Sequence, residues 1–365
     1  MEQRPSFGKS IFILLFILTF IAVAAVLKLT VSFMAPVTIA IMLSFVFYPV
    51  VQKMNRLAHI PWVLSIIILV LIFIIAFSVL GNLLVASTRS ILARIPRYEA
   101  RFTALYKLFC NTFTIPFDED LSLLSNLWNS LNVRTAAQNA AISLSSSLLS
   151  FVKVLGMILL LTIFLLIEMK YAGKKMNEAF SQTEIQKKVH DIAANIISQV
   201  THYISIKFLI SLITGTLVGI ATAVIGMDFP IVWGFIAFVL NFIPMFGSII
   251  SWLITTTFAV LQFYPSWAKI LFVAIMILAI NMTLGNIIEP RWEGNDLGIS
   301  PFVILVSLSI WGWMWGFVGM VLAVPLMVII KIICENVELL KPIAVLLGNS
   351  KKKAYPSINF PRKRS

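Results

Sequence analysis

Residues 281–301 read NMTLGNIIEPRWEGNDLGISP and place amide and charged side chains directly beside segments that are otherwise apolar. On membrane-insertion scales, a charged side chain at the centre of a helix costs about 2.5–3.5 kcal/mol. Polar groups that are kept at that depth are therefore candidates for function. We expect this stretch to belong to a membrane protein and to contain part of its working site.

The composition of the whole chain is that of a polytopic membrane protein. Its 365 residues are 60% hydrophobic and only 12% charged, with a mean hydropathy of +0.98, whereas soluble domains contain about 25% charged residues. Several apolar windows are long enough to cross a hydrocarbon core of about 30 Å. This composition excludes a soluble enzyme. The net charge of +13 lies mainly in the termini and polar loops, which indicates membrane topology and not nucleic-acid binding.

The apolar segments predict an all-α fold with about eight membrane segments, two of them broken or re-entrant, and a helical extramembrane insert. In chain order we expect three membrane helices in 1–84, the insert in 85–147, a fourth membrane helix with a cytoplasmic linker helix in 148–207, a transport region in 208–335, and a basic cytoplasmic tail in 336–365.

Two apolar runs, 231–261 and 301–330, are each about thirty residues long, which is more than one crossing requires. The first is interrupted by NFIPMFGS at 241–248, and the second by three glycines between 312 and 319. Each run is either a kinked single crossing or a re-entrant hairpin. The two interpretations differ in the location of loop 289–300, which is outside in the first and cytoplasmic in the second.

The distribution of Lys and Arg predicts the orientation of the chain. Both termini and the lysine-rich linker 168–207 are expected in the cytoplasm, and the insert 85–147 is expected outside. The arginines of the insert either bind lipid phosphates or form a solvated helix face.

A polar stripe is the first candidate for the working site. Asn281, Gly285 and Glu289 are spaced at i, i+4 and i+8, so on an α-helix they share one face, with Asn286 beside them. Such a stripe is expected to face protein or a water-filled cavity. Gly285 is expected to let another backbone approach closely.

The end of this stripe carries the charged candidates. We expect Pro290 to end the helix and to present Glu289 and Arg291 at its mouth. These residues either handle the solute or ion directly, or form an interfacial ion pair that fixes the loop. Likewise, Asn281 either lines the path or makes a structural hydrogen bond between helices.

The interruption at 241–248 is the second candidate, with Asn241, Pro244, Gly247 and Ser248 as its key residues. Broken helices expose backbone groups that are tolerated only in protein or beside a cavity, and transporters use them to hold ions and solutes. The alternative is a proline kink in which the Asn side chain satisfies the freed carbonyl.

No motif for covalent or redox chemistry is present in the sequence. It contains no Walker loop, no Ser/His/Asp arrangement and no CxxC, and its three histidines are too scattered for a metal site. We therefore expect no catalytic residues, no metal and no cofactor.

The polar motifs carry a resemblance to the autoinducer-2 exporter family of bacterial inner-membrane proteins. The matching segments are HYISIK (202–207), VWGFIAF (232–238) with NFIP (241–244) and GS (247–248), GNIIEPR (285–291), LGIS (297–300), WGW (311–313) and AVPL (323–326). The resemblance rests on these motifs over 200–335. In the rest of the chain it depends on the order of the three N-terminal helices, the insert and the basic tail. Ile299 stands where the family pattern has Leu.

The resemblance implies a secondary carrier of the inner membrane, without an ATPase. Some members are associated with export of the quorum-sensing furanone autoinducer-2, and others with Na⁺ or Li⁺ exchange for H⁺. We expect a solute exporter, with a Na⁺(Li⁺)/H⁺ antiporter and a non-transporting assembly or regulatory partner as alternatives. Its expected partners are the lipid bilayer and a small-molecule or cation substrate, and a homo-oligomer remains open.

Overall fold

The computed structural model describes residues 7–112, 133–179, 183–293 and 298–348. Apart from one isolated β-bridge between Ile299 and Gly348, the regular elements of these ranges are helices. They are α1 (Phe7–Leu29), α2 (Val31–Leu57), α3 (Trp62–Thr112), α4 (Val133–Ala179), α5 (Thr183–Val224), α6 (Pro230–Leu240), α7 (Phe246–Phe263), α8 (Trp267–Thr283), a π-helical segment (Leu284–Ile288), α9 (Glu289–Glu293), α10 (Pro301–Asn336), a 3₁₀ turn (Glu338–Leu340) and α11 (Lys341–Leu347).

The predicted all-α membrane fold is confirmed. Within the described ranges, seven helices are long and apolar enough to span a membrane, and α6 is a shorter apolar helix. The acidic turn at 118–120 and the tail from residue 349 onward lie outside the described residues. The predicted domain boundaries remain predictions.

Three helices are much longer than a membrane crossing. Helix α3 has 51 residues, α4 has 47 and α5 has 42, so at 1.5 Å per residue α3 is about 75 Å long. The predicted third membrane helix, 61–84, is the first half of α3. The described parts of the insert, 85–112 and 133–147, are continuations of α3 and α4.

The chain divides into two compact units. The first unit contains residues 1–35, 172–201 and 294–365, and the second contains 36–171 and 202–293. In the second unit, α2, α3 and α4 pack around a cluster that includes Val51, Ile66 and Leu166. The Trp62 indole N–H donates to the Leu166 carbonyl oxygen at 3.1 Å, which fixes α3 against α4.

Helices α6 and α7 form an antiparallel hairpin in the second unit. The ring centroids of Trp233 and Phe258 lie 4.8 Å apart, although a straight helix would separate these positions by about 37 Å. At the base of the hairpin, the Gln262 side chain accepts from the Asp228 backbone N–H at 2.9 Å and donates to the Gly226 carbonyl oxygen at 3.1 Å. The predicted break at 241–248 is therefore the tip of this hairpin.

Glycines permit the close packing around this hairpin. A Cβ atom on Gly247 would lie 1.7 Å from the Leu240 carbonyl oxygen, so only glycine fits at the tip. On the outer side of α6, Gly234 faces Gly215 of α5, and a Cβ on either would lie 2.6 Å from the carbonyl oxygen of the other. The backbones of α5 and α6 are consequently in direct contact.

Helix α10 of the first unit also folds back on itself. Gly316 has φ 61° and ψ −139°, a conformation that favours glycine. The Ser307 hydroxyl donates to the Ala323 carbonyl oxygen at 3.3 Å, across sixteen positions of sequence. Two antiparallel arms therefore meet near Gly316. The Trp315 indole N–H, at this tip, donates to the Leu27 carbonyl oxygen at 3.0 Å.

The structure favours the hairpin interpretation of 231–261 over the kinked crossing. The His202 Nε2 atom lies 3.3 Å from the Glu293 carbonyl oxygen, within hydrogen-bond distance. Since His202 belongs to the helix that continues the lysine-rich linker, α9 lies at the same end of the second unit as that linker. The kinked crossing would place α9 at the opposite end.

This arrangement predicts the accessibility of two single cysteines. In a background with Cys110 and Cys334 replaced by serine, Trp292→Cys is expected to share the sidedness of the linker variant Glu184→Cys. Ser266→Cys, in the turn between α7 and α8, is expected to label from the opposite side. The measurement is labelling of intact cells and of permeabilised cells with an impermeant maleimide. Labelling of Ser266→Cys and Glu184→Cys from the same side of the membrane would contradict the hairpin.

The expectation that Pro290 ends the helix is wrong. Helical structure continues through the π-helical segment Leu284–Ile288 into α9, which has Pro290 as its second residue. At the start of an α-helical turn the missing N–H of proline leaves no hydrogen bond unmade. The wide π turn therefore accommodates a proline that would break an uninterrupted α-helix.

Candidate functional site

Four uncharged polar residues meet at the tip of the α6–α7 hairpin. The Asn241 amide donates to the Ser211 hydroxyl of α5 at 3.0 Å, and the Ser248 hydroxyl of α7 lies 3.4 Å from the Asn241 Oδ1 atom that accepts from it. The Asn281 amide of α8 donates to the Ser248 carbonyl oxygen at 3.1 Å. We call Ser211, Asn241, Ser248 and Asn281 the polar cluster. It connects α5, α7 and α8 to the hairpin tip.

The local sequence explains why the chain is irregular at this point. Pro244 cannot supply a backbone donor, and Met245 adopts a positive φ of 65° before α7 begins. The carboxyl end of α6 and the amino end of α7 therefore converge beside Asn241. These ends carry the negative and positive poles of the two helix dipoles, an arrangement that transporters use to hold solutes and ions.

A buried ion pair lies next to the polar cluster. The Lys207 ammonium of α5 is 2.5 Å from the Glu289 carboxylate, and the two side chains are only 6% and 14% exposed. Lys207 precedes Ser211 by four residues, so the two side chains share one face of α5 at a separation of about 6 Å. Along α5, the ion pair therefore lies between the polar cluster and His202.

The structure brings together part of the predicted site. Asn241, Ser248 and Asn281 belong to the polar cluster, and Pro244 and Gly247 shape the hairpin tip. Glu289 lies near this cluster because it contacts Lys207, which precedes Ser211 by about one helical turn on α5.

Other predicted residues lie elsewhere. Asn286 is exposed and donates to the Met282 sulfur at 3.2 Å, and Arg291 is exposed while Glu289 pairs with Lys207. The close backbone approach expected at Gly285 is wrong, because an added Cβ there meets no atom of the described residues within 4 Å. The π-helical segment changes the spacing, so the residues do not form the regular α-helical stripe.

Sequence reasoning missed Ser211 and Lys207. Ser211 is an ordinary small residue in an apolar helix, and nothing in its neighbourhood distinguishes it. Lys207 was counted with the linker lysines that set orientation. The available signal was its position at the start of an apolar run and at the end of the segment HYISIK (202–207).

A second polar group fixes the base of the hairpin to α3. Asp228 accepts hydrogen bonds from the Arg94 guanidinium and the Tyr98 hydroxyl, and Arg101 donates to the Tyr264 carbonyl oxygen at 3.1 Å. Burial raises the pKa of Asp228, but the hydrogen bonds from Tyr98 and Arg94 outweigh it, so the pKa lies below the usual value. The pKa of Tyr98 is raised by burial and by its hydrogen bond to Asp228.

The lowered pKa of Asp228 predicts a dependence of stability on pH. A group whose pKa is lower in the folded state stabilises the fold above its unfolded pKa, about 3.9 for Asp, and loses this contribution as the pH falls through the folded value. We expect Asp228→Asn to reduce the Tm at pH 7 and to have little effect at the acid limit. Thermal denaturation at several pH values measures this, with the exposed Asp191→Asn as control. A pH-independent difference would contradict it.

Broken helices that bring polar groups together at membrane depth, as at the α6–α7 tip, are typical of membrane transporters. The sequence identifies the family within that class. Residues 11–338 match the family described as AI-2E family transporter, and the chain belongs to this family.

Relatives along nearly the full length have names of the same kind. A putative transport protein of Borreliella burgdorferi is 33% identical over 93% of this chain and 89% of its own length. The AI-2 transport protein TqsA of Escherichia coli K12 is 31% identical over 90% of this chain and 92% of its own length. The putative transport protein YhhT of the same strain is 32% identical over 80% of this chain and 81% of its own length. These names agree with a transporter.

Proposed function

We propose that the chain is a secondary transporter that moves a small neutral solute, of the chemistry of the furanone autoinducer-2, out of the cytoplasm. The observation that carries this proposal is the polar cluster at the hairpin tip. Its two amides and two hydroxyl-bearing residues offer both donors and acceptors without net charge, which suits an oxygen-bearing neutral solute. The name of TqsA, an AI-2 transport protein, supports the same solute class.

The membrane and the orientation are part of the proposal. The Lys and Arg distribution supports an inner-membrane protein with both termini in the cytoplasm. In that orientation the Lys207–Glu289 pair lies toward the cytoplasmic end of the second unit, and Asp228 lies toward the outer end. A solute that reaches the polar cluster from the cytoplasm then passes the ion pair.

The polar cluster is tested by Asn241→Leu. Asn241 is 5% exposed, so its amide exchanges hydrogen bonds with Ser211 and Ser248 or with a bound solute, and not with bulk water. Loss of a buried hydrogen-bonding partner costs about 1–3 kcal/mol, or roughly 5- to 150-fold in an equilibrium constant. We expect a fall of that size in autoinducer-2 flux into or out of proteoliposomes.

Asn336→Leu is the matched control for this experiment. The Asn336 amide donates to the Ile332 carbonyl oxygen of its own helix at 2.8 Å and lies in the other unit. We expect this variant to retain the wild-type flux. Equal flux in wild type and Asn241→Leu, at equal amounts of folded protein, would rule out the polar cluster as the solute path.

Antiport of Na⁺ or Li⁺ against H⁺ is the second candidate function. The observation that favours it is the largely buried Glu289 carboxylate, because acidic side chains within membrane segments mark ion pathways. Antiport predicts a Na⁺-triggered pH change in vesicles that Glu289→Gln abolishes. Solute efflux that is indifferent to Na⁺ favours the exporter.

A further inference from the structure

We propose that Lys207 determines the charge selectivity of the transport path, because its ammonium occupies Glu289 and excludes monovalent cations of the Na⁺ and Li⁺ class. This inference depends on the proposed function, in which the solute binds at the polar cluster. It assigns a role to a residue that the polar stripe 281–291 did not include.

Burial and position make Lys207 suitable for this role. Its side chain is 6% exposed and its nitrogen lies 2.5 Å from the Glu289 carboxylate, so the two charges cancel each other. One helical turn further along α5, the Ser211 hydroxyl accepts from Asn241. The pair therefore offers no net negative charge to a cation at the polar cluster, and the carboxylate is not free to act as a cation ligand.

The same groups would form a cation site if the ammonium were absent. Na⁺ and Li⁺ are hard cations that bind to oxygen, and the Glu289 carboxylate would be the charged ligand left by removal of the ammonium. Without Lys207, the Glu289 carboxylate would be a buried charge without its partner. Cation binding is then favoured, because it restores neutrality. Selection between a neutral solute and a cation therefore depends on one side chain.

The experiment removes the ammonium and measures cation binding directly. Purified full-length wild type, Lys207→Met and Lys207→Met/Glu289→Gln are heated in NaCl, LiCl or choline chloride at equal ionic strength. We expect Na⁺ or Li⁺ to raise the Tm of Lys207→Met in a saturable way and to leave the other two proteins unchanged. Lys341→Met, which removes an exposed lysine that is 3.8 Å from Glu338, is the matched control without a cation response.

Each of the remaining outcomes either supports or overturns the role proposed for Lys207. Specific stabilisation of the wild type by Na⁺ would overturn the proposal, as would a Lys207→Met protein that is insensitive to both cations. Recovery of folded Lys207→Met only in Na⁺ or Li⁺ would support it. Loss of this variant in all three salts, while the double variant folds, would overturn it.

The result is separable from a failure of the proposed function. The cation response is measured without any solute, whereas autoinducer-2 flux is measured on the wild type. If the wild type carries no solute and Lys207→Met responds to Na⁺ as expected, the solute proposal fails while the exclusion of cations by Lys207 stands.

Discussion

Gly247→Ala is expected to abolish most of the yield of folded protein. The new Cβ would lie 1.7 Å from the Leu240 carbonyl oxygen and 2.5 Å from its carbonyl carbon. These are backbone atoms at the end of α6, so no side-chain rotation relieves the contact. Overpacking a rigid site costs about 1–3 kcal/mol or more, and a whole domain is stable by only about 5–15 kcal/mol. Detergent-solubilised yield and Tm, followed by size-exclusion chromatography, measure the effect.

Gly156→Ala is the matched control for this substitution. Gly156 lies in α4, and an added Cβ there meets no atom of the described residues within 4 Å. Alanine is a better helix former than glycine by about 1 kcal/mol, so this variant is expected to be as stable as the wild type or slightly more stable. A Gly247→Ala protein with wild-type yield and Tm would show that the α6–α7 tip has room for a Cβ atom.

The hairpin tip shows what sequence alone predicts. Asn241, Pro244 and Gly247 predicted the interruption correctly, because their backbone preferences are local properties. The direction of the chain after the interruption depends on contacts such as Trp233 with Phe258, which join positions far apart in sequence. The sequence therefore left the kinked crossing and the hairpin equally open.

The pairing of the charged residues could not be predicted from the sequence. Glu289 was predicted as a candidate, but its partner is Lys207, 82 positions earlier, and not the neighbouring Arg291. A lysine at the end of a membrane helix has the same appearance in the sequence whether it faces water or a carboxylate. The π-helical segment Leu284–Ile288 adds a second error, since the stripe at i, i+4 and i+8 assumes regular α-helical spacing. Asp228 and Arg94 meet across 134 positions, and no local pattern pairs them.

Glu289→Gln is expected to destabilise the protein and to reduce solute flux by more than tenfold. The substitution leaves the Lys207 ammonium buried without a counter-charge, and removal of one partner of a buried pair costs about 3–5 kcal/mol. Movement of the uncompensated ammonium out of its buried position would shift α5 against α9 and alter the region next to the polar cluster. Tm and autoinducer-2 flux in proteoliposomes measure the two effects.

The double variant Lys207→Met/Glu289→Gln separates charge balance from loss of the carboxylate. Replacing both partners of a buried pair by neutral groups is often close to neutral in stability, so we expect the Tm to recover most of the loss. If flux recovers with it, Glu289 acts as the counter-charge of Lys207. If stability recovers and flux does not, the carboxylate itself takes part in transport, as antiport requires. Glu338→Gln, at an exposed pair with Lys341, is the control. A single Glu289→Gln variant with wild-type Tm would show that the pair contributes nothing to the fold.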